Sequence, residues 1–87
     1  MRLLNIDKEA VKKLLKIDKP TRWRIIKGIA GLFKEPPEGD IKSLKGALQG
    51  LNRLRVGDWR ITYEVTDNSI DILTISPRGG AYKKGAI

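Results

Sequence analysis

With 87 residues, 40% of them hydrophobic and 32% charged, the chain carries apolar material for one modest core. A single domain over residues 1–87 is expected, with a short C-terminal tail at 77–87. There is no cysteine and no histidine, which excludes a disulfide framework and thiolate chemistry and removes the commonest general acid/base and zinc ligand. The net charge is +8, from 18 Lys and Arg against 10 Asp and Glu, and it favours a polyanionic partner.

No apolar run approaches the roughly 18 residues needed to cross a bilayer, and the N-terminus lacks a signal pattern. A soluble, cytoplasmic protein with no membrane partner is expected. Met1 to Ile6 reads as a short strand with imperfect alternation. Asp7 then suits a helix N-cap, and Glu9 places negative charge in the first turn, where the helix dipole favours it. Ala10, Val11, Leu14, Leu15 and Ile17 follow at helical spacing, opposite Lys12, Lys13 and Lys16. That pattern predicts an amphipathic helix ending near Ile17.

Asp18-Lys19-Pro20 marks a second helix start, an acidic cap with proline in the first turn. Trp23, Ile25, Ile26, Ile29, Ala30, Leu32 and Phe33 form its apolar stripe, with Trp23 expected at the core or its edge. Gly28 and Gly31 weaken the helix but permit close approach to the first helix or to a sheet. With so short a break, the two helices are expected to form an antiparallel hairpin. Pro36 and Pro37 end the second helix. Ile41 to Gly50 then reads as a loop anchored by Ile41, Leu44 and Leu48 and carrying Lys42 and Lys45.

Leu51 to Val65 is the most informative stretch. Two alternating runs flank Gly57-Asp58, the signal for a β-hairpin with a two-residue turn. Pairing Val56 with Trp59 sets Arg55 opposite Arg60 and Arg53 opposite Thr62. Leu54, Val56, Trp59, Ile61, Tyr63 and Val65 then share the other face, with Trp59 and Tyr63 in the core. Like charges directly across a strand pair are destabilising, so an anion is the natural occupant between Arg55 and Arg60. The same arginines would also serve as a charged sheet face that guards against edge pairing. Glu64 lies on the arginine face one pleat beyond Thr62, where an ion pair is expected. Thr66 to Ser69 supplies a turn. Ile70 to Ser76 is the last strand, its Ile70, Ile72, Leu73 and Ile75 suggesting burial on both faces, and Pro77 stops the ladder. The tail carries Arg78, Tyr82, Lys83 and Lys84.

Helices set apart from a run of strands give an α+β fold: β-α-α-β-β-β, a three-stranded antiparallel meander with the helices on one sheet face. This order resembles the RelE/ParE superfamily of type II toxin–antitoxin toxins. So do Leu44-Lys45-Gly46, the run Leu54-Arg55-Val56-Gly57-Asp58-Trp59-Arg60-Ile61-Thr62-Tyr63, and the ending Pro77-Arg78-Gly79-Gly80-Ala81-Tyr82-Lys83. The resemblance covers essentially the whole chain and favours the RelE branch. It implies a cytoplasmic toxin held in a heteromeric complex with a cognate acidic, RelB-like antitoxin. In the RelE branch such toxins cleave mRNA in the ribosomal A site, while the ParE branch poisons DNA gyrase without nuclease chemistry. An RNA-binding relative that has lost activity is a third reading.

Carried over by position, the resemblance implies catalytic roles for Arg60, Arg78, Tyr82 and Arg53. Lys45, Arg55, Lys42 and Lys83 would bind RNA phosphates. Attack of a 2′-hydroxyl on the adjacent phosphate builds charge on a phosphorane, which planar, permanently charged arginines stabilise bidentately. No cofactor is implied, and no histidine or carboxylate cluster stands ready for a metal. Where many relatives have His-Arg, this chain has Pro77-Arg78, which excludes a histidine-dependent scheme. Free tyrosine ionises near pH 10. Surrounding cations would favour a Tyr82 phenolate as base, and the same ring would also stack on a nucleobase or anchor the tail. Lys45 is a proton donor for the leaving oxygen.

Overall fold

The computed structural model describes residues 2–77. In chain order these form β1 (Leu3–Ile6), α1 (Lys8–Leu15), α2 (Lys19–Gly31), β2 (Asp40–Ser43), a 3-10 turn (Gly46–Leu48), β3 (Asn52–Val56), β4 (Trp59–Val65) and β5 (Ser69–Pro77). One five-stranded sheet results, in the order β1-β5-β4-β3-β2. Strands β2 to β5 run as an antiparallel meander, and β1 joins β5 in parallel, with Leu3 beside Ser69 and Ile6 beside Ile72. The expected meander is therefore one strand longer. Its extra strand comes from the segment read as a loop, where Ile41 pairs with Leu54 and points its side chain to the core face. A four-residue edge strand after Pro-Pro and Gly39 carries too little alternation to stand out from a loop.

Both helices begin as their caps require. Asp7 accepts from the Glu9 amide at 3.1 Å, and Asp18 accepts from the Thr21 amide at 3.1 Å and the Thr21 hydroxyl at 2.9 Å. Those hydrogen bonds, the hydroxyl's first, hold the Asp18 carboxyl below its ordinary range. Helix α1 stops at Leu15, two residues short of expectation. The Arg22 guanidinium closes its end by donating to the Leu15 and Ile17 carbonyls, both at 3.0 Å, which satisfies acceptors that a helix terminus otherwise leaves open.

Ala10 and Leu14 from α1, Ile17 just beyond it, Ile25 and Ile29 from α2 and its C-cap Leu32 meet Leu54, Ile61, Tyr63, Ile70, Ile72 and Ile75 in one core. Helix α1 packs over β5 and α2 over β3, in preference to each other, so the expected helical hairpin is splayed. Val11 and Leu15 lie outside the core as a result. So does Trp23, 59% exposed, with the Lys27 ammonium 6.0 Å from its ring centroid. It sits two residues from Ile25, roughly 200° around a helix of 3.6 residues per turn, and so faces away from the sheet.

The hairpin register is the expected one, with Val56 opposite Trp59, Arg55 opposite Arg60 and Arg53 opposite Thr62. Gly57 has φ 58°, and among the described residues no non-glycine residue has positive φ. A single positive φ at the first turn position is the II′ pattern, matched to strand twist. Tyr63 is core as expected, Trp59 is half-buried against the core, and Val65 is exposed at the end of β4.

The mixed pattern of β5 has a different cause from the one expected. Tyr63 pairs with Ile72 and Thr62 with Thr74, so Leu73 is an extra residue, a β-bulge. The bulge resets the alternation, and Ile70, Ile72 and Ile75 all reach the helix-covered face.

Candidate functional site

The face turned away from the helices carries the polar residues of β2 to β5 in two cross-strand rows. One reads Asp40, Arg55, Arg60, Ser76; the next reads Lys42, Arg53, Thr62, Thr74. Alternation on each strand forces this grouping once Ile41, Leu54, Ile61 and Ile75 are committed to the core. The rows open onto a cavity of about 590 Å³ lined by Asp40, Lys42, Ser43, Leu44, Lys45, Arg53, Arg55 and Arg60. Five of those side chains are cations and one is a carboxylate.

Each cation reaches the cavity by a distinct structural route. Arg55 and Arg60 flank the Gly57 turn as direct cross-strand partners. The Arg55 Nε–H points back to the Gly57 carbonyl at 3.4 Å, a long contact that holds it only weakly. Arg53 has little solvent exposure, its side chain at 11%, and donates to Asp40 Oδ1 at 3.3 Å across a strand diagonal. Asp40 itself is 58% exposed, so this pair contributes at most about 1 kcal/mol after solvent screening. Lys42 arrives on the edge strand β2, and Lys45 from the segment that precedes the 3-10 turn. The Ser43 hydroxyl hydrogen-bonds Asn52 Oδ1 at 3.3 Å, tying β2 to β3 at the cavity's far side.

The floor beside the arginines is polar. Thr62 is fully buried, and the hydroxyls of Thr62, Thr74 and Ser76 lie below the surface without hydrogen-bond partners among the described residues. Tyr63 is on the opposite face, where burial raises its phenol above the ordinary value. It is a core residue rather than a base.

Of the residues singled out from sequence, Arg53, Arg55, Arg60, Lys42 and Lys45 are brought together around this one cavity. Arg78, Tyr82 and Lys83 lie outside the described residues. Glu64 makes no ion pair among the described residues; it is exposed and sits across from Asp71, a like charge. Asp40 and Ser43 were not legible as site residues, because both belong to the strand that reads as linker and loop. The signal available in hindsight is the polar-apolar-polar run Asp40-Ile41-Lys42, which is long enough for one edge pairing.

A second concavity, about 520 Å³, opens between the splayed helices and β1. It is apolar, lined by Leu4, Ile6, Leu14, Ile26, Ile29, Ala30 and Phe33.

Residues 4–82 match the family described as the ParE toxin of type II toxin-antitoxin systems, parDE. Among solved structures, a chain of the archaeal RelE–RelB complex from Pyrococcus horikoshii OT3 is 34% identical. That likeness covers 92% of this chain and 98% of that one, with a TM-score of 0.75. A chain of the RelB–RelE antitoxin–toxin complex from Methanococcus jannaschii is 27% identical, over 93% of this chain and 98% of that one, with a TM-score of 0.74. A chain of the YoeB–YefM complex from Staphylococcus aureus shares the fold at 23% identity and a TM-score of 0.72, over 87% of this chain and 97% of that one. No curated protein sequence matches.

Proposed function

The chain belongs to the RelE/ParE superfamily and is the toxin of a type II toxin–antitoxin system, and on that premise we propose that it is a ribosome-dependent mRNA endoribonuclease. The observation that carries this reading is the convergence of Arg53, Arg55, Arg60, Lys42 and Lys45 on one open cavity. A phosphodiester seated there meets guanidinium forks from adjacent strands, fixed by sheet register rather than by loops. Cations aimed at the charge that grows on a phosphorane supply several kcal/mol of transition-state stabilisation. Arg60 is the leading residue for this role, with Arg53 and Arg55 beside it and Arg78 and Tyr82 assigned by resemblance. Placement of the mRNA by the ribosome supplies the alignment of 2′-oxygen, phosphorus and leaving oxygen.

The partner is a cognate acidic antitoxin. Complexes of similar chains with RelB and YefM support this, as do the +8 charge and the apolar concavity between the helices. An acidic segment with one apolar face fits both features.

The match to the ParE family favours a second reading, a toxin that inhibits DNA gyrase without cutting RNA. Induced expression followed by primer-extension mapping separates the two. Cuts at codon-related positions in translated mRNA are the expected result. DNA breaks with intact mRNA would replace the nuclease reading with the gyrase one.

A further inference from the structure

Cleavage by a 2′-hydroxyl needs an acceptor for its proton, and the chain has no histidine. Among the described residues, the acidic side chain lining the cavity is Asp40. Tyr63 faces the core with its phenol held protonated by burial, and Glu64 does not line the cavity. Resting on the ribonuclease reading above, we infer that Asp40, rather than a Tyr82 phenolate, is the general base of the reaction.

The placement suits the task. Asp40 stands directly across from Arg55, and its Oδ1 lies 3.3 Å from an Arg53 amino group. A phosphate that docks on those guanidiniums therefore brings its own ribose to the carboxylate. Asp40 is on the sheet's edge strand and mostly exposed, whereas Arg53 is nearly covered. The acceptor is thus open to a bound nucleotide while the cation behind it is held. Gly39 sets the entry into this strand: it has φ 129°, and a Cβ there would stand 2.8 Å from Leu54 Cδ1. A carboxylate inside a phosphate site also weakens ground-state binding by repulsion. Its place among five cations makes chemical sense as an acceptor of the 2′-proton.

The step balances without any oxidant or reductant. An Asp40 oxygen takes the 2′-proton as the 2′-oxygen forms its bond to phosphorus. The bond from phosphorus to the 5′-oxygen breaks, the electron pair leaving with that oxygen, which takes a proton from the Lys45 ammonium. The products are a 2′,3′-cyclic phosphate and a 5′-hydroxyl. Asp40 then loses its proton to water, and Lys45 regains one from water.

The test is D40N with D40E as its companion, compared with wild type and R60A. Asparagine keeps an oxygen for Arg53 but is no base. The readouts are single-turnover cleavage of ribosome-bound mRNA and affinity for the same RNA with a 2′-deoxy scissile nucleotide. D40N is expected to slow cleavage about 10²–10⁴-fold with affinity unchanged or tighter, and D40E to recover part of the rate. Wild-type-like cleavage by D40N overturns the assignment, and so does a loss of affinity in proportion to the loss of rate, which would mark Asp40 as a positioning residue. Failure of wild type and R60A alike to cleave overturns the ribonuclease reading itself and this inference with it, a result distinct from wild-type activity that D40N retains.

Discussion

Gly28 lies in the interior of α2, and a Cβ built on it would stand 2.8 Å from Val56 Cγ2 and 3.4 Å from Leu54 Cδ2. Two opposing effects set the outcome of G28A. Replacing glycine by alanine inside a helix stabilises by about 1 kcal/mol. Forcing a methyl to 2.8 Å from a packed side chain costs about 1–3 kcal/mol through displaced neighbours. The clash wins or cancels, so G28A is expected to be destabilising by about 0–2 kcal/mol relative to wild type. In V56A the Cγ2 atom is gone, and the same G28A change should stabilise by close to the full helix gain of about 1 kcal/mol. The coupling between the two sites is therefore about 1–3 kcal/mol, well above the ~0.5 kcal/mol within which independent sites add. Urea melts of wild type, both single variants and the double variant measure it. A G28A that is more stable than wild type, or single effects that simply add, would refute the close approach of α2 to the hairpin.

Other outcomes follow from the same geometry. Burial raises the Tyr63 phenol, so above about pH 10, the free tyrosine value, the unfolded chain releases this proton while the folded chain keeps it. Its contribution is therefore whole below that pH and lost as pH rises through the folded value. Urea melts from pH 8 to 11 should show wild type losing more stability than Y63F, and parallel curves would contradict this. For the cavity, R55A should weaken binding to single-stranded RNA and lower the slope of log affinity against log salt by about 0.7, one phosphate contact's share. An unchanged slope in a filter-binding titration would remove Arg55 from the phosphate site.

The hairpin and its register were legible because alternation, a Gly-Asp turn and six apolar residues on one face all demand the same pairing, and a one-residue slip would bury Arg53, Arg55 and Arg60. That pairing carried the arginine part of the site with it. Strand β2 was not legible, since four residues behind Pro-Pro present one inward side chain, Ile41, and its pairing is set by β3. Asp40 stayed hidden with it. Trp23 misled because the apolar stripe of α2, five residues from Trp23 to Ala30, is wider than the face that the sheet covers. Leu73 misled because periodicity has no symbol for a bulge: an extra residue in one strand looks like burial on both faces until the partner strand is known.

If the sheet-borne guanidiniums cut RNA, Arg60 is foremost among them. The most direct measurement is the cleavage rate of mRNA on purified, programmed ribosomes by wild type and R60A, with circular dichroism confirming that the variant is folded. Cleavage by wild type that falls about 10²–10³-fold in R60A is the predicted result. Equal cleavage by a folded R60A variant, or none by wild type, would contradict it.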